Sequence, residues 1–218
     1  MSRQLTSGVL GRKDKEINVL RFDGTTFIDI PSYNFSGALS VSLFCKLTEL
    51  DIGHTIIGKF FNTTGSWLLF TLPTNEIRAI IWGTTALTGN MIYNEWIHVC
   101  LVFQPSTSVH IYVNNSPVVS HTGTTSASTG SNNPARIGAR NDGSSPFFGY
   151  MSKLQMFHKA LSESERNTLF AGGVVSDGLF LRYDMDEGDG TTANDLAGSL
   201  NGTITNPNWE KIPNFLPL

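Results

Sequence analysis

The chain has 218 residues, a formal net charge of -3 and only 15% charged residues, against roughly 25% in ordinary globular proteins. That length suits one large domain able to bury a core without disulfides or metal. With no Lys/Arg cluster the chain lacks the electrostatic footprint of a nucleic-acid binder, and no apolar run is long enough to span a bilayer.

Residues 1–18 read as a polar arm of mixed charge, without the apolar stretch of a secretory signal. Strand-like segments then follow at short intervals, separated by turn chemistry. "INVLRFDG" ends at the turn dipeptide Asp23-Gly24, and "TTFIDIP" sets Phe27 and Asp29 against Ile28 and Ile30 before stopping at Pro31. "LSVSLFCKL" places Leu39, Val41, Leu43, Cys45 and Leu47 on one face, the period of a half-buried strand. "HTIIGKFF", "SWLLFTL" and "EIRAIIWG" continue the pattern.

"EWIHVCLVF" and "VHIYVNN" read as a hairpin. In the first run Trp96, His98, Cys100 and Val102 alternate with Ile97, Val99, Leu101 and Phe103. Both faces are largely apolar, as in a central strand covered on each side. His98 and His110 therefore read as structural histidines, and Trp96 as core. Cys45 and Cys100 read as buried free thiols; a disulfide between their strands cannot be judged from spacing. Residues 120–134 form the longest loop, either a surface connection or a contact loop.

"ARIGAR" and "FFGYMSKLQMFHKAL" restore strand character. In "ALSESERNTLFAGG" Ser162 is placed as an N-cap, Glu165 completes a capping box, Leu161 staples and Gly172-Gly173 stop the helix. This gives one short helix near residues 163–171. "GLFLRY", an acidic Gly-rich turn and a further short strand follow, and Pro213 and Pro217 end regular structure in a tail at 211–218.

"EWIHVCLVF…VHIYVNN" followed by "ARIGAR…FFGYMSKLQMFHKALSESERNTLF" resembles the laminin G-like, concanavalin A-like jelly-roll domains, with "LRFDGTTFIDIP…LSVSLFCKL" similar to their opening strands. The resemblance runs from about residue 19 to 209. It implies an all-β fold, a two-sheet antiparallel β-sandwich, over 19–210. "YDMDEGDGTTANDLAGSLNGTI" resembles a segment that usually opens such domains but here follows the helix. It either completes the same sandwich in a circularly permuted order or starts a second repeat; an unpaired "GLFLRY" edge would invite aggregation, which favours completion. Ser152 stands where many relatives carry an acid.

Glycoside hydrolases also use this fold, and hydrolysis needs two carboxylates flanking the scissile bond. The nearest acids, Asp184, Asp186, Glu187 and Asp189, run into glycines, so no catalytic residue is assigned. Asp186, Glu187 and Asp195 match acidic positions of the family pattern "Asp-Glu-Gly-x-Gly-Thr-Thr-x-x-Asp" and suit a structural calcium; the alternative is a turn capped by its own backbone. For sugar binding, Trp82 and Phe147 sit at strand ends, with Arg140, Asn141 and Asp142 as polar neighbours. Sequons at Asn34, Asn62, Asn114 and Asn201 do not establish a secretory route in so Asn-rich a chain.

The expected function is non-catalytic recognition or assembly. The absence of a signal, the low-charge surface and the mixed-charge arm fit a virion surface component: a phage or viral fibre, tail or capsid-associated protein. It would contact glycan or neighbouring subunits as a homo-oligomer, in a virion or extracellular, with no nucleic acid or membrane. A secreted carbohydrate-binding module or a glycoside-hydrolase-like domain is the alternative.

Overall fold

In a computed structural model, the described residues are 15–33, 37–50, 52–59, 67–81, 84–86, 91–122 and 134–215. Trp82, residues 123–133 of the long loop, and the sequons at Asn34 and Asn62 lie outside them.

The strands in chain order are β1 (Glu16–Asp23), β2 (Phe27–Ile30), β3 (Leu39–Leu47), β4 (Thr55–Lys59), β5 (Trp67–Thr71), β6 (Ile77–Ile81), β7 (Thr84–Ala86), β8 (Ile97–Gln104), β9 (Ser108–Val113), β10 (Ser116–Thr122), β11 (Ala135–Ile137) and β12 (Phe148–Phe157). The helix α1 (Glu163–Phe170) is followed by β13 (Leu179–Tyr183), β14 (Thr192–Ala193), β15 (Gly202–Thr205) and β16 (Trp209–Pro213). They form two antiparallel sheets. The first runs β10-β9-β8-β3-β12-β1-β16, with β13 also pairing β12; the second runs β14-β15-β2-β11-β4-β5-β6-β7.

The core lies between the sheets and follows the alternation in the sequence. Leu39, Val41, Leu43, Cys45 and Leu47 of β3 and Ile97, Val99, Leu101 and Phe103 of β8 all belong to it. On the second sheet Ile28, Ile30, Trp67, Leu69, Ala135, Ile137 and Ile204 face them. The other face of β8 is also covered. Cys100 and Val102 pack with Phe157, Leu161 and Leu169 beneath α1, so the helix explains why this strand is apolar on both sides.

Local chemistry fixes the connections. Asn114 and Asn115 both have positive φ, 49° and 61°, the conformation of a two-residue hairpin turn whose twist matches the flanking strands. Gly149 has φ +142°, and a Cβ there would lie 1.9 Å from the Lys46 carbonyl oxygen, so β12 can approach β3 only with glycine at this point. The Ser162 hydroxyl caps α1, with Glu165 closing the box onto the Ser162 N–H. Ser162→Ala should destabilise the fold by about 1 kcal/mol in urea unfolding; a midpoint equal to the parent's would remove the cap from the account.

Leu179–Pro213 adds strands to both sheets. β13 pairs β12, β15 pairs β2 and β16 pairs β1. Regular structure extends past the sequence-based boundaries: β1 starts at Glu16, and β16 continues through Ile212↔Ile17 to Pro213↔Glu16. Proline is tolerated there because β16 is an edge strand.

Candidate functional site

Strand pairing brings together three outward-facing residues that are remote in sequence. Asp29 of β2 sits opposite Arg136 of β11 on one side and Thr203 of β15 on the other. Their neighbours Ile28, Ile30, Ala135, Ile137 and Ile204 point into the core, which leaves the polar row on the outer face of the second sheet. With Ser32, Pro134 and Asn141 the row lines a shallow cleft of about 440 Å³.

Arg136 organises this cleft. Its Nε and a terminal nitrogen donate to the two Asp29 oxygens at 2.7 and 3.1 Å, a two-pronged arrangement with fixed geometry. The guanidinium carbon lies 3.9 Å from the Phe27 ring centre, a cation–π contact. The other terminal nitrogen points to the carbonyl oxygens of Arg140 and Asn141 at 3.4 and 3.5 Å. The Asp29 side chain keeps 39% of its surface exposed, so the carboxylate is partly open to solvent.

The five residues expected to meet a ligand are placed differently. Asn141 lines the cleft and donates to the Pro134 carbonyl at 3.3 Å, and Arg140 contributes its carbonyl to the Arg136 guanidinium. Asp142 is exposed and closes a turn: hydrogen bonds from the Ser144 hydroxyl and N–H hold its carboxyl below the usual carboxylate range. Phe147 is fully buried, edge-on to Phe22 at 6.0 Å, and offers no face to a ligand; the alternating burial around it turns Phe148 outward instead. Trp82 lies outside the described residues.

The acids proposed for calcium differ in how far protein donors occupy them. The buried Asp195 carboxylate accepts the backbone N–H groups of Arg182 and Ala197 on one oxygen and of Leu200 on the other, all at 3.0 Å. Glu187 accepts the Asn194 N–H at 2.8 Å, while Asp186 is exposed. Among the described residues no group of three His, Cys, Asp or Glu side chains converges on a metal position; Asp195 and one Glu187 oxygen cap backbone N–H groups, as in an acidic turn closed on its own backbone, while the other Glu187 oxygen is buried without a partner. Asp184 is held by Arg182 at 2.9 and 2.6 Å, and Ser152 donates to the Asp184 carbonyl at 3.0 Å.

A second cluster lies on the outer face of the first sheet. Trp96, expected in the core, is only half buried. Its ring stacks on Phe215 with centres 3.7 Å apart and planes at 6°, and lies 6.1 Å from Tyr150. His98 is buried; its Nε2 meets the Ser42 hydroxyl at 2.8 Å, and its Nδ1 has no partner. Burial lowers the His98 pKa to about 4.

Residues 22–165, more than half the chain, match the family described as the concanavalin A-like lectin/glucanases superfamily. The chain belongs to this superfamily.

Among solved structures, it is similar to a candidate carbohydrate-binding protein from Bacteroides ovatus at 20% identity and TM-score 0.77, over 93% of this chain and 62% of that one. It thus spans less than two thirds of that protein's length. A heptameric pentraxin from Limulus polyphemus matches at 13% identity and TM-score 0.59, over 91% and 93% of the two chains. Domain 4 of a GH43 extracellular arabinanase from Geobacillus stearothermophilus, solved with arabinotriose, matches at 20% identity and TM-score 0.54, over 66% and 72%. No curated protein matches. At these identities the structural matches establish the fold that this superfamily member shares with them. Among its described residues no helix is long and apolar enough to cross a membrane.

The superfamily match does not point to the Asp29–Arg136–Thr203 row, and motif reading missed it. Half the signal was present, because the alternation in "TTFIDIP" puts Phe27 and Asp29 on the face opposite Ile28 and Ile30. What was missing was the β15-β2-β11 order that sets Thr203 and Arg136 on either side.

Proposed function

We propose that this protein is a non-catalytic glycan-binding module and that the cleft around Asp29, Arg136, Asn141 and Thr203 holds the sugar. The row of three polar side chains on adjacent strands carries this reading. Sugars present neighbouring hydroxyls that both donate and accept. A partly exposed carboxylate, held by a guanidinium and flanked by a threonine hydroxyl and an amide, matches that pattern on a rigid sheet. Superfamily membership and the likeness to a candidate carbohydrate-binding protein and to a domain solved with arabinotriose support the choice of ligand class. The cleft is open and shallow, so a single site would bind weakly, and several copies would gain through avidity; the similar pentraxin is heptameric.

The reading without catalysis rests on the commitments of the acids: Asp184 to Arg182, Asp195 to backbone N–H groups and Asp29 to Arg136. An accessory module of a larger glycan-degrading protein fits the cleft as well as a free-standing lectin does. No relative named above is described as a virus component, so a virion location has no support from them.

Glycan-array screening followed by calorimetry with gluco-, galacto-, xylo- and arabino-oligosaccharides tests the proposal. Arg136→Ala and Asp29→Ala should each weaken binding at least tenfold. Arg136 keeps only 16% of its side-chain surface exposed and also contacts Phe27 and two carbonyls, so a thermal melt of each variant accompanies the binding measurement and separates loss of the site from unfolding. Binding unaffected by either substitution, or no binding to any of these sugars, would overturn it.

A further inference from the structure

On the opposite side of the sandwich from the polar cleft, the chain leaves β16 and lays Pro213, Asn214 and Phe215 over the outer face of the first sheet. The Phe215 ring stacks flat on Trp96 and meets Phe44 at 5.6 Å. Two hollows meet at this stacked pair: one of about 350 Å³ that includes Lys46 and Tyr150 in its wall, and one of about 250 Å³ that includes Phe44, His98 and Asn114. The sheet register sets this composition, since Lys46 pairs with Tyr150 and Phe44 with His98.

Three features distinguish this place from ordinary packing. An indole on the outer face of a sheet takes a flat ring at van der Waals distance. Polar groups surround it: an ammonium, a phenol and an amide. His98 lines the smaller hollow, and its buried imidazole Nδ1 has no hydrogen-bond partner; a buried polar atom left unpaired is costly unless something satisfies it. An aromatic face with hydrogen-bonding groups at its rim is the chemistry that receives the C–H face of a pyranose ring.

We propose that Trp96 is a second sugar-stacking site, for the apolar face of a pyranose ring, and that Phe215 of the same chain is a strap covering it. This rests on the glycan-binding reading above. Phe215 fills the position a sugar ring would take, so a sugar binds only in the fraction of molecules whose strap is lifted, and its apparent affinity falls by that fraction. Once the strap is lifted, the ring stacks on Trp96 and a hydroxyl can reach the His98 nitrogen.

The test uses the indole N–H signals in proton–nitrogen correlation spectra of the full chain, which has four tryptophans; Trp96→Phe assigns one of them. The probes are the methyl pyranosides of glucose, galactose, mannose and xylose, and xylo- and arabino-oligosaccharides. In Phe215→Ala the Trp96 signal should move saturably, at about tenfold lower sugar concentration than in the parent. It should still move in Phe215→Ala/Arg136→Ala, where the polar cleft is disabled. Phe215→Leu, which keeps an apolar cover without the stack, should fall between the two. Equal concentrations for parent and Phe215→Ala would overturn the strap. A Trp96 signal that stays fixed in Phe215→Ala while the Thr203 and Arg136 amides respond would overturn the second site and leave the first standing. No response at either place would overturn both.

Discussion

Asp195→Ala is expected to lower the unfolding free energy by about 3–5 kcal/mol and the melting temperature by about 10 °C. The reason is local. The backbone N–H groups of Arg182, Ala197 and Leu200 all end on this one buried carboxylate, and the Asp195 N–H is itself held by the Asn201 side chain at 2.9 Å. Alanine leaves three donors without an acceptor in a part-buried turn, and each unsatisfied donor costs about 1–3 kcal/mol before relaxation. Asp195→Asn should fall between parent and alanine, since it keeps one acceptor oxygen. The loss should be the same in calcium and in a chelator, because the carboxylate binds protein donors and not an ion. Thermal melts under both conditions decide it; a melting temperature that falls only when calcium is present would show that the turn holds a metal after all.

The second large effect is on acid stability through His98. Burial lowers its folded-state pKa from 6.5 to about 4, so the folded protein binds this proton less readily than the unfolded chain does. The stability held by neutral His98 is complete above about pH 6.5 and is lost as the pH falls from there to about 4. The span of the shift corresponds to about 3 kcal/mol. His98→Gln keeps an amide near the Ser42 hydroxyl and removes the titration. The difference in unfolding free energy between parent and variant should therefore change by about that amount across this window, with the parent losing more. Parallel profiles from pH 7 to pH 4 would show that His98 takes up its proton without cost.

The parts of the fold that could be read in advance are those whose physics is local. The capping box at Ser162 and Glu165 and the alternation of β3 are complete within a few residues, and both appear in the structure at the expected positions. Trp96 was misjudged for an equally physical reason. An apolar strand says that both faces are covered but not how far along the strand the cover extends. Here α1 shelters Cys100 and Val102 and stops short of Trp96, which is left to Phe215. Phe147 failed in the opposite direction. It sits at a strand end, as expected of an exposed ring, but the chain turns it under Phe22 and His54. The polar cleft joins β2 to β11 and β15, both more than 100 residues further along the chain, and only strand order places them side by side.

The two thiols point to opposite sides of one sheet: Cys45 into the space between the sheets and Cys100 beneath the helix. No rotamer joins them, and burial pushes both pKa values up to about 12, so almost no thiolate is present at neutral pH. Alkylating reagents and mild oxidants should find nothing to attack while the domain is folded. Its shape is therefore indifferent to redox surroundings, and thiol labelling becomes a direct gauge of how often the sandwich opens.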